Sequence, residues 1–142
     1  MESDGMTITG ALINIDVLDI QKAEAFYCGV FDLKVVRRFG SNFVELSGLG
    51  IPCFLLQKDE GSDAFPGGTH KRNYSRHWTP VHLDITVTDI QAMFERALAE
   101  GAKAESAIRT APYGKIVMLS DPFGHGLCLI EFNERGYDAI VT

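Results

Sequence analysis

Cysteine is scarce in this chain, three among 142 residues, and Cys28, Cys53 and Cys128 form neither an even set nor a Cys-x-x-Cys spacing. That excludes a disulfide framework and a zinc ribbon, and it suits a reducing cytoplasm. Positive charge is short as well: 13 Lys and Arg against 19 Asp and Glu leave a net charge of −6. No segment supplies the basic stripe that a phosphate backbone or an anionic bilayer needs, so neither nucleic acid nor a membrane is expected as a partner. Long apolar runs are missing too. None approaches the roughly 20 residues that span a bilayer, and Met1 to Gly5 lacks the basic and apolar regions of a leader. Apolar content, in contrast, is 46%, enough for one substantial core. A small-molecule ligand is the partner class left standing.

The chain repeats itself. Val17-Leu18-Asp19-Ile20-Gln21 returns, changed at one position, as Val87-Thr88-Asp89-Ile90-Gln91, 70 residues later. In the first copy Ile13, Ile15 and Val17 alternate with Leu12, Asn14 and Asp16, the period of a half-buried strand. Asp19 is placed as a helix N-cap. Ile20, Ala23, Phe26, Tyr27, Val30 and Phe31 then recur at the three-and-four spacing of one apolar helix face. Three short strands follow over 34–39, 43–47 and 51–57, separated by Gly40-Ser41-Asn42 and Gly48-Leu49-Gly50.

The second copy has Leu83, Ile85 and Val87 on one strand face and His82, Asp84 and Thr86 on the other. Asp89 caps a helix carrying Ile90, Met93, Phe94, Ala97 and Leu98 and ending near Gly101. Strands are expected around 104–109, 115–120 and 127–132, with turns at Tyr113-Gly114 and Asp121-Pro122-Phe123-Gly124. These readings divide one domain, 1–142, into a first module of about 8–57, a linker of about 58–79, a second module of about 80–133 and a tail, 134–142, that Tyr137 and Ile140 can dock.

The linker is rich in turn formers and also holds Lys71, Arg72, Tyr74, Arg76, His77 and Trp78. It reads either as a solvated connector with Trp78 packed on the core, or as a lid that brings Arg76, His77 or Trp78 over a bound acid. The strand faces away from the helices present Asn14, Asp16, His82, Asp84 and Thr86, too polar for a core and suited to a cleft between the copies.

Several of these pieces together resemble the vicinal oxygen chelate superfamily, which groups glyoxalase I, bleomycin-resistance proteins, fosfomycin-resistance transferases and extradiol dioxygenases. They are the Val-x-Asp-Ile junctions at 17–20 and 87–90, Ala25-Phe26-Tyr27, Ala99-Glu100-Gly101-Ala102, and Ser120-Asp121-Pro122-Phe123-Gly124-His125. The resemblance implies an α+β fold of two tandem βαβββ modules forming a U-shaped half-barrel sheet around a cavity, helices on the outer face, in a homodimer. It also implies a divalent ion held by the first and last strand of each module. The early ligand positions are then Leu12 and His82. The late ones are Cys128 and, in the first module, Cys53 or Leu55. Of these only His82 matches the implied pattern.

One imidazole facing a leucine does not make an open site for a hard cation. The sequence therefore leads to the expectation of a small-molecule-binding protein of the glyoxalase/bleomycin-resistance kind without the usual metal and with no firm cofactor. The expected ligand contacts are Asn14, Asp16, Trp78, His82, Asp84, Thr86 and Cys128. His82 is the candidate catalytic residue, as general base or as donor to an oxygenated ligand.

The alternative is a glyoxalase-like metal-dependent lyase, isomerase or dioxygenase with a rearranged site. That site uses either Glu131 re-aimed by a bulge or a soft trio of Cys53, His82 and Cys128 suited to zinc. A third possibility is an interaction module with no enclosed pocket. His125 is expected to set turn geometry, and Arg109 and Tyr113 to border the cavity mouth.

Overall fold

Both repeats open as their polarity patterns dictate. In the computed structural model, which describes residues 6–142, β1 spans Ile13–Val17 and β5 spans Leu83–Thr86. Each leads through its aspartate cap into a helix, α1 (Ile20–Phe31) or α2 (Ile90–Ala99). Asp19 accepts from the backbone N–H of Gln21 and Lys22, both at 3.0 Å, and Asp89 from that of Ala92 at 3.1 Å. The positions read as the apolar helix stripes are the buried ones: Ala23, Phe26, Tyr27 and Val30 on α1, Ile90 and Ala97 on α2. Met1–Gly5, read above as leaderless, lie outside the described residues.

The first module continues with β2 (Lys34–Arg38), β3 (Phe43–Ser47) and β4 (Cys53–Gln57). The strands order β1-β4-β3-β2, with β1 parallel to β4. In the second module the strand expected over 104–109 is two short pieces, β6 (Lys103–Ala104) and β7 (Arg109–Ala111), both paired to the long β8 (Gly114–Ser120). β9 (Gly126–Phe132) completes the order β5-β9-β8-β6, with β5 parallel to β9. A 3-10 turn over Gly136–Ile140 ends the chain, and its Tyr137 packs edge-on against Phe132.

The half-barrel does not form. The two sheets are separate, and neither is closed or curled into a barrel. A continuous curved sheet would need β1 and β5 to share a ladder, yet each is an edge strand whose hydrogen bonds run only inward, to β4 and β9. α1 packs on α2 as well as on β4, and α2 on β8 and β9. One hydrophobic cluster joins Phe26, Val30, Leu46 and Leu55 of the first module to Ile90, Val117, Leu119 and Leu129 of the second. Burying the apolar stripe of each helix in this common core removes apolar area from water and leaves the polar sheet faces directed away from that core. Among the described residues no helix is long and apolar enough to cross a membrane.

Candidate functional site

Alternation along β5 puts His82 and Asp84 on the same side, two residues apart, and the parallel register sets Asp84 beside Cys128 of β9. The His82 Nε2 lies 3.1 Å from Asp84 Oδ1. One ligand atom each from His82, Asp84 and Cys128 falls within 4.8 Å of the others. His82 and Asp84 are exposed, whereas Cys128 is only 7% exposed. Burial, followed by the Asp84 charge and its hydrogen bond, pushes the Cys128 thiol up to about 11. Imidazole nitrogen, carboxylate oxygen and thiol sulfur this close together, two of them on exposed residues, are a donor set that could hold a divalent ion. Such an ion would reverse the local charge logic, since it deprotonates a coordinating thiol outright.

The expectation of no tightly held metal is therefore overturned by this trio, and with it the reading of a metal-free binder. The rearrangement differs from both versions considered above. Cys53 is 0% exposed and sits in the core with Leu55, so it cannot join His82 and Cys128. Glu131 is engaged elsewhere, its Oε1 accepting from the Ile90 N–H at 2.9 Å, as Gln57 Oε1 accepts from Ile20 N–H at 2.8 Å. That shared role aligns Gln57 with Glu131 and hence Phe54 with Cys128, a match the registers Asn14 to Phe54 and Asp84 to Cys128 repeat. The first-module counterpart of Cys128 is thus Phe54, not Cys53 or Leu55. With Leu12 at the early position, 53% exposed, the first module offers no ligand at either place.

A cavity of about 770 Å³ lies where β1 approaches the start of β5, the 124–127 turn and the linker. Its apolar walls are Ile13, Ile15, Leu83 and Leu127, and Asn14, Asp16, His77, His82 and His125 add polar groups. Arg72 reaches from the linker to Asp16 at 2.7 Å and also bonds the carbonyl of Asp63. His125 Nε2 lies 2.6 Å from the Asp16 carbonyl, which can only accept, so this nitrogen carries the proton. Beneath the turn, buried Asp121 accepts from Tyr27 OH at 2.5 Å and from the Phe123 and His125 N–H groups, tying α1 to the second module. Burial and the neighbouring Asp121 charge hold the Tyr27 phenol well above its ordinary range.

The remaining expected contacts scatter. Asp84 and Thr86 line a second, smaller cavity of about 450 Å³, against the turn from Gly48 to Ile51. Trp78 is 79% exposed and lines neither cavity, so it is not packed on the core. Arg76 is a strap: it forms a two-pronged ion pair with Glu105, 2.5 and 2.9 Å, and lies so close over Gly126 that a Cβ there would collide with its guanidinium. Sequence reasoning placed Asp84 among the ligand contacts but missed it as a candidate metal ligand, and it missed Arg72 as the partner of Asp16. The two-residue spacing from His82 could have flagged the first. Nothing local encodes the second, which spans 56 positions.

The model of the glyoxalase-like domain family matches residues 12–130. Among curated proteins, an uncharacterized protein of Mycobacterium bovis is 32% identical over 110 residues, 75% of this chain and 72% of that protein. One from Mycobacterium tuberculosis is 32% identical over 75% of this chain and 65% of its own length. Among solved structures, the fosfomycin resistance protein FosX of Listeria monocytogenes, complexed with Mn(II) and sulfate ion, has a TM-score of 0.67 and 17% identity, covering 91% of this chain and 94% of that one. A glyoxalase/bleomycin resistance protein/dioxygenase family enzyme of Burkholderia phytofirmans has a TM-score of 0.68 and 18% identity, covering 86% and 97%. With the family model spanning most of its length and both sheets laid out on the fold of these structures, the chain belongs to the glyoxalase-like domain family.

Proposed function

We propose that the chain is a metal-dependent lyase or isomerase of the glyoxalase-like kind, acting on a small oxygenated organic molecule in the cavity between its modules. The observation that carries this reading is the grouping of His82, Asp84 and Cys128, of which His82 lines the larger cavity and Asp84 the smaller. The Mn(II) complex of the Listeria monocytogenes relative supports a divalent ion on this scaffold. A dioxygenase of the facial-triad type is less well served, since that triad takes two imidazoles and one carboxylate and this one has a single imidazole.

When bound, the ion supplies Lewis acidity toward a carbonyl or hydroxyl oxygen. The chain's own residues do the rest. Ile13, Ile15, Leu83 and Leu127 take the apolar body of the substrate and exclude water from it. The Nδ1 of His77 lies 2.8 Å from the Ser75 carbonyl, so it is the donor, and this bond orients the ring of a residue that lines the cavity. The Asp16–Arg72 pair holds the linker against β1 so that His77 stays at this wall. The working form is read as a homodimer, in which a second copy covers apolar side chains such as Val36 and Phe39 that the first module leaves exposed.

Elemental analysis of the full chain after loading with divalent ions and desalting tests the reading. The expected result is about one equivalent of metal per chain, lost in His82→Ala and Asp84→Asn variants that keep their circular dichroism. Metal content near zero in the loaded wild-type chain would overturn it.

A further inference from the structure

We infer that the ion is a thiophilic divalent cation of the zinc and cobalt class, bound through the Cys128 sulfur, and not a hard ion such as manganese or magnesium; this rests on the metal-dependent reading above. Three observations carry it. Cys128 is the buried member of the trio, at the centre of β9, flanked in register by Asp84 on one side and Met118 on the other. Side chains paired across a ladder share a face, so the Met118 thioether stands next to the thiol and adds a second soft sulfur to the same surface. Asp84 is the one carboxylate in the trio, and the first module answers with Leu12 and Phe54 where further oxygen or nitrogen ligands would be needed. Hard cations want six or more oxygens, whereas thiolate with imidazole and one carboxylate suits zinc or cobalt.

Binding through Cys128 releases its proton to solvent and changes no oxidation state, so the step balances with no further reactant.

Cobalt(II) titration of the full, metal-stripped chain reads this directly. A bound cobalt ion held by Cys128 gives an intense sulfur-to-cobalt charge-transfer band in the near ultraviolet, absent in Cys128→Ser and retained in Cys28→Ser. In competition, zinc displaces cobalt while manganese does not at equal concentration. Cys128→Asp narrows the zinc-over-manganese preference by about tenfold or more, roughly 1.4 kcal/mol. Cobalt bound without that band overturns the inference and leaves the metal-dependent reading standing. Absence of any bound metal overturns both. If Cys128→Asp does not fold, the band in the wild-type chain still decides.

Discussion

Where the second module pairs Asp84 with Cys128, the first pairs Asn14 with Phe54. The surroundings follow suit. Phe54 stacks on Phe43 with ring centres 5.3 Å apart, Phe39 lies 4.8 Å from Phe43, and Arg37 sits over Phe39 while bonding Glu45. This sheet face is aromatic and self-paired. Its counterpart in the second module carries donor atoms for an ion. What the modules keep in common lies on the other side, at the strand-to-helix junction: an aspartate cap and a Gln57 or Glu131 side chain accepting from the first helical N–H. Those groups satisfy backbone donors that packing would otherwise strand. The sheet faces carry no such obligation, and there the copies have diverged.

The largest expected effect breaks the asymmetry outright. Cys128→Val removes the sulfur at nearly constant volume, and metal uptake falls from about one equivalent to none while stability changes by less than about 1.5 kcal/mol, read by elemental analysis and urea melts. The reverse transplant sharpens the same point. Leu12→His, Asn14→Asp and Phe54→Cys together copy the trio onto β1 and β4, and a second equivalent of about equal stoichiometry is expected in the same assay. No added uptake would show that the register alone does not make the site.

Next in size is the tie between the modules. Asp121→Ala leaves the buried Tyr27 OH and Phe123 N–H and the part-buried His125 N–H without their acceptor. The expected loss is about 3 kcal/mol in chemical denaturation, with Tyr27→Phe costing less because it removes a single bond. The caps separate the modules more finely. Asp19 serves two amides and Asp89 one, so Asp19→Ala should cost about 1 kcal/mol and Asp89→Ala somewhat less.

The smallest effect is electrostatic. The hydrogen bond from Arg76 holds the Glu105 carboxyl below its ordinary range. A depressed carboxyl stabilises the fold above the ordinary carboxylate range, and that contribution is lost as pH falls through the folded value. Both partners are part-exposed, so Arg76→Gln should remove only a few tenths of a kcal/mol near neutral pH, and the deficit should vanish in acid.

Periodicity and cap chemistry determined the elements by themselves. Alternation at Ile13, Ile15 and Val17, the helix stripes and the two aspartates are local patterns, and local geometry answers to them. His82 was visible too, as an imidazole on a polar strand face. Tertiary structure decided what none of these could carry. The strand expected over 104–109 split because Glu105 and Ser106 turn their N–H groups to Met118. One buried cluster joins residues of both modules, and the two sheets stay separate and open, so among the described residues the half-barrel expected from the repeat is absent. The candidate ion site depends on a parallel register between residues 84 and 128, and register is a property of paired strands, set by what each buries on its other face.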